Sequence, residues 1–377
     1  MMENLKKFLS ENEAELHKIL EELCHIPAPS GFEDERAEYC KNKLMSYGAV
    51  GVYIDEAKNV IFPINAESSD KLTVIVAHTD TVFPDMEPMP YTDDGEIIRC
   101  PGVGDDTASL AVLLLLAKYI VENNIKSENG ILLVCNSCEE GLGNLKGTRR
   151  LFKDFAGRVK QFISYDAASL SKITNNCVGS VRYEVEVKTE GGHSYGAFGN
   201  KNAIHYLSKI VNSIYSLEVP EFPGEKTTYN VGIIEGGTSV NTIAQSAKML
   251  CEYRSTSAMA LDVMKDKFFR IFDEVRSLGV EVNVTVVGER PSAKGVDENE
   301  IKRMCETVSP ILSDVSGKEV TYGSGSTDCN IPLSLGVPAI CFGVYIGGGA
   351  HTRSEWIRKD SLVPGLEIAV RTTMKLI

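Results

Sequence analysis

The sequence lacks the segments that mark membrane-spanning or exported proteins. Its longest apolar run, LAVLLLLAKYIV from Leu110, contains Lys118 and is shorter than the ~20 apolar residues that a membrane-spanning helix needs. The amino terminus, MMENLKKFLSENEAELHKILEEL, has the pattern of a charged amphipathic helix, without the apolar centre and small-residue cleavage site of a signal peptide. These absences predict a cytoplasmic protein without a membrane span.

An excess of positive charge is also missing. Lys and Arg number 39 against 52 Asp and Glu, which gives a formal net charge of -13 at pH 7. Because nucleic acids and anionic membranes are themselves polyanions, we expect neither as a partner. The 10 cysteines are scattered, and in a cytosolic protein they are expected to be reduced thiols. Cys135 and Cys138 form a CxxC pair, but no second pair completes a tetrahedral zinc site.

What the sequence does contain is an alternation of apolar runs and helical stretches. The runs LTVIVAH, GILLVCNS, QFISYDA and VPAICFGVYI have the character of buried parallel strands. They alternate with helical patterns at about 107–124, 147–156 and 299–315. The alternation predicts an α/β fold, a doubly wound and mostly parallel sheet with helices on both faces.

The segment 178–289 has a different pattern, which indicates an inserted domain. VRYEVEVKTEGG alternates apolar and polar residues, as a half-buried antiparallel strand does. The segment continues in the order strand, helix, strand, strand, helix, strand, which predicts a small α+β sandwich. The flanking residues 1–177 and 290–377 would then form one discontinuous domain. This gives two domains, the number expected for 377 residues at ~150 residues per domain.

Acidic residues and histidines follow several of the predicted strands. They are His78 and Asp80, Asp105 and Asp106 in a Gly-rich turn, Glu139 and Glu140, Asp166, and His351. The carboxyl ends of parallel strands meet at one edge of a sheet, where ligands bind. Taken singly, each motif has an ordinary structural explanation, such as a helix cap or a solvated surface pair. Together they predict a shared site, because so many carboxylates repel one another unless cations neutralise them.

The residue types favour a pair of divalent metal ions. Imidazole and carboxylate ligands suit zinc or a similar ion, and the surplus of carboxylates allows one to bridge two metals. Two such ions can activate a water and stabilise a developing oxyanion. A neighbouring carboxylate that binds no metal can act as the general base.

These motifs resemble those of the co-catalytic zinc hydrolase superfamily. It includes peptidase T, succinyl-diaminopimelate desuccinylase, acetylornithine deacetylase, aminoacylases and glutamate-releasing carboxypeptidases. The resemblance covers essentially the whole chain and implies two metal ions, zinc first, with cobalt or manganese as alternatives. The implied ligands are His78 and Asp166 on one metal, Glu140 and His351 on the other, and Asp105 between them. The resemblance also implies Glu139 as general base, Asp80 as the residue that orients His78, and a cis peptide at Asp105–Asp106.

The resemblance extends to the inserted domain, which would be a lid and dimerisation domain. In GGHSYGAFGN it implies that His193 reaches a neighbouring active site and helps to stabilise the oxyanion. Asn241 of EGGTSVNTIA would contact substrate, and Arg254 of EYRST would bind a substrate carboxylate. Asp328 of GSGSTDCN would belong to a loop that lines the pocket. A homodimer is expected.

The expected reaction is hydrolysis of an amide bond in a small substrate. AHTDTVFPD and EEGLGNLKG resemble the peptidase T-like branch most, which implies a di- or tripeptide exopeptidase. An N-acyl-amino-acid deacylase or desuccinylase, or a carboxypeptidase, remains open. An inactive metal-binding protein would be expected to lack the base or a ligand, yet all are present. A NAD enzyme is disfavoured, because GVGDD lacks the rest of a GxGxxG fingerprint.

Overall fold

The computed structural model describes residues 2–127 and 129–377; Met1, the first residue of the predicted amino-terminal helix, lies outside them. The chain divides into two compact units. The first comprises the residues up to Cys177 together with Lys294–Ile377, and the second is Val178–Ala293. The sequence had indicated 178–289 for the inserted domain, so the second unit extends a few residues further along the chain.

The helices and strands of the described residues have the following bounds. The helices are α1 (Met2–Cys24), α2 (Asp34–Ser46), α3 (Ser109–Glu122), α4 (Lys146–Asp154), α5 (Ala203–Tyr215), α6 (Ala258–Arg276), α7 (Glu298–Ser316), α8 (Asn330–Ser334) and α9 (Leu362–Leu376). The strands are β1 (Tyr53–Ile54), β2 (Val60–Ile64), β3 (Leu72–His78), β4 (Thr92–Asp93), β5 (Ile97–Arg99), β6 (Gly130–Asn136), β7 (Val159–Ser164), β8 (Lys172–Cys177), β9 (Gly179–Lys188), β10 (Gly192–His193), β11 (Thr227–Gly236), β12 (Thr242–Ile243), β13 (Ser246–Ser255), β14 (Glu281–Arg290), β15 (Thr321–Gly325), β16 (Ala339–Phe342), β17 (Gly347–Gly348) and β18 (Trp356–Arg358).

The main sheet of the first unit has the order β1-β2-β6-β3-β7-β16-β8-β15 among the described residues. Its centre is parallel, because β3 pairs in parallel with both β6 and β7, and β7 pairs in parallel with β16. These strands are the four apolar runs of the sequence, and every residue of β3 and β6 is buried. The predicted mostly parallel α/β fold is confirmed.

Helix α3 is the most apolar helix packed against this sheet. Its sequence, SLAVLLLLAKYIVE, is made largely of Leu and Ala, which favour the helix. The helix packs against α1, α9 and β3. An irregular turn, Val103–Ala108, leads into it and carries the Asp-Asp pair. No helix of the described residues has the length and apolarity needed to cross a membrane.

The second unit has its own sheet and its own core. Its strands β11, β13, β9 and β14 form an antiparallel sheet in that order. Helices α5 and α6 pack on the sheet, and the core includes Tyr183, Phe268 and Phe272, each almost completely buried. Side chains of Asn202 and Ser257 accept hydrogen bonds from the first turns of these helices, as helix caps do. The predicted α+β sandwich is present.

Candidate metal centre

The carboxyl edge of the parallel sheet brings the predicted ligands together. Strand β3 ends at His78, and its neighbours β6 and β7 end shortly before Glu139 and Asp166. His351 lies in the loop between β17 and β18. Residues far apart in the chain therefore meet where parallel strands end, as expected for a binding site in an α/β sheet.

Asp105 lies at the centre of this cluster. Its Oδ1 is 3.0 Å from Nε2 of His78, and its Oδ2 is 3.1 Å from Nε2 of His351. The same His351 nitrogen is 2.9 Å from Oε1 of Glu140. The peptide bond that joins Asp105 to Asp106 is cis. One carboxylate thus faces two different imidazoles through its two oxygens, which is the position of a bridging ligand.

Two overlapping groups of side chains could each hold a metal ion. In the first, ligand atoms of His78, Asp105 and Asp166 all lie within 4.8 Å of one another. In the second, the same holds for Asp105, Glu140 and His351. Asp105 belongs to both groups, and these are the two ligand sets that the family resemblance implies. A further group joins Glu139 to His78 and Glu140, so Glu139 lies beside the proposed ligands.

The crowded carboxylates of the cluster have raised pKa values, which indicates that cations would stabilise their ionised forms. Burial raises the pKa of Glu140 to about 7. The nearby charges of Asp105 and Glu139 also raise this pKa, while the hydrogen bond with His351 lowers it. Burial likewise raises the pKa of Asp166 well above its usual range, with Asp105 and Glu139 contributing. Carboxylates crowded in this way ionise readily only with a compensating positive charge. The donor set, imidazole nitrogens and carboxylate oxygens, therefore fits divalent cations.

Asp80 is fully buried behind the ligands and uses both carboxylate oxygens. Oδ1 accepts a hydrogen bond from the backbone N–H of Glu139, and Oδ2 accepts one from the backbone N–H of Glu140, each at 2.9 Å. Its Oδ1 also lies 3.4 Å from Nδ1 of His78. Burial raises its pKa, but the hydrogen bonds from His78 and Ser30 outweigh this, so the pKa falls below the usual value. Asp80 thereby contacts His78 and holds the backbone of Glu139 and Glu140, as a residue that orients the predicted ligands and base would.

Sequence reasoning missed Glu355, which fixes the turn that carries Asp105. Its buried carboxylate accepts hydrogen bonds from the backbone N–H groups of Gly102, Gly104 and Asp105, at 2.6, 2.9 and 2.8 Å. The motif HTRSE contains Glu355, yet nothing in the motif reveals that its partners lie some 250 positions earlier in the chain. Burial raises its pKa to about 7.

Sequence reasoning also missed Arg36 of α2. Its guanidinium is buried and donates to the carbonyl oxygen of Thr79 at 2.9 Å and to the hydroxyl of Thr107 at 3.3 Å. It also donates to the carbonyl oxygens of Leu23 and Ile26 at the end of α1. Since Thr79 separates His78 from Asp80 and Thr107 follows Asp106, Arg36 ties both loops to the body of the unit. A single arginine in a charged helix gave no signal of this role.

Asp328, predicted to belong to a pocket-lining loop, is fully buried. Its Oδ2 accepts a hydrogen bond from the side chain of Asn136, and its Oδ1 accepts one from the hydroxyl of Thr148. Burial and the charge of Glu139 raise its pKa to about 7. Asp328 therefore braces the end of β6, from which Glu139 and Glu140 follow.

The other predicted substrate contacts lie in the second unit. His193 and Asn241 are neighbours there, because β10 pairs with β12 and the N–H of Ser194 donates to the carbonyl oxygen of Asn241 at 3.0 Å. Arg254 is on β13, where its guanidinium makes two hydrogen bonds to the carboxylate of Glu252. Within this unit the structure thus brings His193 and Asn241 together, and Arg254 belongs to a separate, charge-paired position.

Comparison with known proteins identifies the family. The sequence profile of peptidase family M20/M25/M40 matches residues 74–375, a span that contains the whole proposed ligand set. The chain belongs to this family. The predicted superfamily is thereby confirmed, and with it the prediction of a hydrolase that acts on amide bonds.

Several known proteins resemble the chain over nearly its full length. The succinyl-diaminopimelate desuccinylase of Corynebacterium glutamicum is 24% identical, over 89% of this chain and 90% of that protein. Aminopeptidase PepT of Bacillus cereus ATCC 10987 superposes with a TM-score of 0.72 at 22% identity, over 96% of this chain and 98% of that one. A tripeptidase of Staphylococcus aureus Mu50 gives a TM-score of 0.75 at 22% identity, over 96% and 99%. At 22% identity, these two solved structures support the fold of the chain but not a specific activity.

Proposed function

We propose that this M20/M25/M40 chain is a two-metal exopeptidase that releases the amino-terminal residue of di- and tripeptides. The observation that carries the proposal is Asp105, whose two oxygens face His78 and His351, with Glu139 beside them. The resemblance to an aminopeptidase and a tripeptidase favours peptides as substrates. The desuccinylase relative keeps an N-acyl-amino-acid deacylase as the second candidate.

The proposed cofactor is a pair of divalent cations, with zinc first and cobalt or manganese as alternatives. His78, Asp105 and Asp166 would hold one ion, and Asp105, Glu140 and His351 the other. When bound, such a pair lowers the pKa of a water molecule and polarises the substrate carbonyl.

The protein's own groups would handle the proton and the substrate. Glu139 accepts the proton of the attacking water and passes it to the leaving amine, and Asp80 holds the Glu139 backbone in place by a hydrogen bond of 2.9 Å. A buried carboxylate held in this way is an efficient general base. His193 would reach a neighbouring active site and help to stabilise the oxyanion there. Asn241 would contact substrate, and Arg254 would bind a substrate carboxylate. Asp328 would act by bracing the pocket loop.

A homodimer formed through the second unit is part of the proposal, as is a cytoplasmic location. Strand β11 is an edge strand of its sheet, and Ile233 and Ile234 on it are each at least half exposed. Unpaired, apolar edge strands are sites of chain association. Sedimentation analysis of the full chain would test this, since a monomer at micromolar concentration would contradict it.

The reaction can be tested by one comparison of rates. The zinc- or cobalt-loaded protein would be given an unmodified tripeptide and the same tripeptide acetylated at its amino end. Cleavage of the free form alone supports the proposed exopeptidase. Release of acetate from the acetylated tripeptide would support the deacylase instead. Cleavage of both tripeptides at similar rates would support a carboxypeptidase.

The role of Glu139 can be tested separately by Glu139→Gln. The change preserves size and leaves the proposed ligands in place, but it removes the proton acceptor. We expect kcat to fall at least ~100-fold, while calorimetric titration still shows two metal equivalents. The exposed Glu96 provides the control Glu96→Gln, which should behave as wild type. Near-normal turnover of Glu139→Gln would contradict the assigned role.

A further inference from the structure

An apolar pocket on the first unit lies next to the proposed metal ligands. It has a cavity volume of about 630 Å³, within the ~300–1,000 Å³ of typical ligand sites. Every residue that lines it is uncharged, and its apolar walls include Pro29, Phe32, Val82, Phe83, Met86 and Leu142. A pocket of this composition favours an apolar group over a charged one.

Three residues that line the pocket are connected to residues of the proposed metal centre. Thr81 and Gly141, which both line it, directly follow Asp80 and Glu140. Ser30, another lining residue, donates its hydroxyl hydrogen bond to Oδ2 of Asp80 at 2.6 Å. One wall of the pocket is therefore hydrogen-bonded to the residue that orients the predicted base. A group bound here would therefore contact residues that adjoin Asp80 and the proposed ligand Glu140.

A backbone hydrogen bond joins two walls of the pocket, and the charged residues Arg353 and Asp85 near it form an ion pair. The N–H of Thr81 donates to the carbonyl oxygen of Ala28 at 2.8 Å, which joins two of its walls. The guanidinium of Arg353, two residues after His351, lies 5.0 Å from the centre of the Phe83 ring and pairs with Asp85 at 2.6 Å. These two charges are of opposite sign and lie side by side, so together they add no net charge next to the pocket.

Three large apolar side chains at this pocket are exposed. Phe32, Met86 and Leu142 have 61%, 61% and 68% of their surface open to solvent, and all three line the cavity. An exposed apolar patch beside a polar, buried cluster is a typical feature of a binding site. The three side chains are the positions at which a bound group would gain most by excluding water.

We propose that this pocket binds the side chain of the substrate's amino-terminal residue and that it selects apolar side chains. The inference rests on the proposed exopeptidase function. In such a reaction the attacked carbonyl belongs to the amino-terminal residue, whose side chain begins two bonds away. That side chain must therefore lie next to the metal centre, where Thr81, Gly141 and Ser30 form the adjoining surface. Phe32, Met86 and Leu142 are the specificity-determining residues.

The test compares three tripeptides, Leu-Gly-Gly, Ala-Gly-Gly and Asp-Gly-Gly, with the metal-loaded full chain. We expect kcat/KM for the leucine peptide to exceed that for the alanine peptide about 10- to 100-fold, because a leucine side chain buries more apolar surface. The aspartate peptide should be poorest. Leu142→Asn and Met86→Gln should each shrink the leucine-to-alanine ratio several-fold. Leu335→Asn, at an exposed leucine that does not line the pocket, should leave the ratio unchanged.

Binding of free amino acids separates failure of the pocket from failure of the proposed function. Calorimetric titration with L-leucine and L-aspartate should show tighter binding of leucine to the metal-loaded protein, and Leu142→Asn should remove the difference. If no tripeptide is cleaved but this pattern holds, the pocket assignment stands and the exopeptidase proposal fails. If the peptides are cleaved without preference and neither pocket variant changes the ratio, the pocket assignment is overturned and the exopeptidase proposal stands.

Discussion

At the scale of single residues, Asp80 links the segments that carry His78, Glu139 and Glu140. Its two carboxylate oxygens accept hydrogen bonds from the backbone N–H groups of Glu139 and Glu140. Nδ1 of His78 lies 3.0 Å from the backbone oxygen of Asp80 and 3.4 Å from its Oδ1. A ligand imidazole needs a partner for its second nitrogen to fix its tautomer and orientation. Asp80 offers that partner through its backbone oxygen as well as its side chain. Its side chain also holds the segment that follows β6 by the two hydrogen bonds from Glu139 and Glu140.

The variant Asp80→Asn tests this coupling. An amide offers one acceptor oxygen, and its NH2 group would face one of the two backbone N–H groups, which would then lose its partner. We expect metal affinity or kcat/KM to fall about 10- to 100-fold, measured by metal titration and by steady-state kinetics at saturating metal. Asp94 is the matched control, because its carboxylate accepts two backbone N–H groups in an exposed turn. If Asp80→Asn stayed within twofold of Asp94→Asn, the assigned role would be wrong.

The sequence predicts ligand candidates better than it predicts their supports. His78, Asp105 and Asp166 follow apolar runs or sit in a Gly-rich turn, so local patterns placed them at one sheet edge. Glu355 and Arg36 act on backbone groups far away in the chain, and no local pattern records such contacts. Asp328 lies in a motif, but its burial against Asn136 and Thr148 follows only from the packed structure.

At the scale of elements, the sequence predicts the central strands of the main sheet but not the strands β8 and β15 at one end of it. β3, β6, β7 and β16 are apolar enough to be recognised as buried strands. β8 and β15, with the sequences KITNNC and TYGSG, contain polar residues and glycine, which disfavour strands. They are held in the sheet by their pairing with neighbours, a long-range effect. The short strands β4, β5, β17 and β18 likewise pair with one another in a small sheet, and this long-range pairing is not visible in their sequences.

The irregular turn before α3 depends on such a long-range support, which Glu355→Gln would test. The glutamine oxygen could replace only part of the carboxylate, and at least one of the N–H groups of Gly102, Gly104 and Asp105 would be left buried without an acceptor. We expect the free energy of unfolding to fall by ~1–3 kcal/mol, measured by urea denaturation of the metal-free protein. The affinity for metal should fall as well, because Asp105 is held by this turn.

The control for Glu355→Gln is Glu319→Gln, at an exposed glutamate of the same unit. It removes the same charge without touching the turn, and it should leave both unfolding and metal titration unchanged. Equal behaviour of the two variants would show that the three hydrogen bonds to Glu355 do not hold the turn.

At the scale of the whole molecule, the second unit is inserted into the first through two adjacent strands. The chain enters the second unit near Ser180 and leaves it near Arg290, and these residues are paired across β9 and β14. Antiparallel neighbours have Cα atoms about 5 Å apart, so the junctions lie side by side. The second unit also has its own buried core around Tyr183 and Phe268. The periodicity of its strands made this unit predictable as a whole, because alternation is a local property.

Dividing the molecule at these junctions gives the most general test. Residues 178–293 alone should unfold in a single cooperative transition, followed by circular dichroism. The first unit, with Cys177 joined to Lys294 by a short Gly-Ser linker, should still bind two metal equivalents, because all the proposed ligands belong to it. Its hydrolysis of tripeptides should be at least ~100-fold slower than that of the full chain, because it lacks His193, Asn241 and Arg254.

The full chain with His193→Ala supplies the comparison for the shortened protein. If His193 contributes to oxyanion stabilisation, this variant should lose a large part of the same rate while retaining both units and both metals. A shortened protein that hydrolyses tripeptides at the full rate would show that the second unit contributes nothing to catalysis. A shortened protein that fails to bind metal would show instead that the five ligands of the first unit are not held in place by that unit alone.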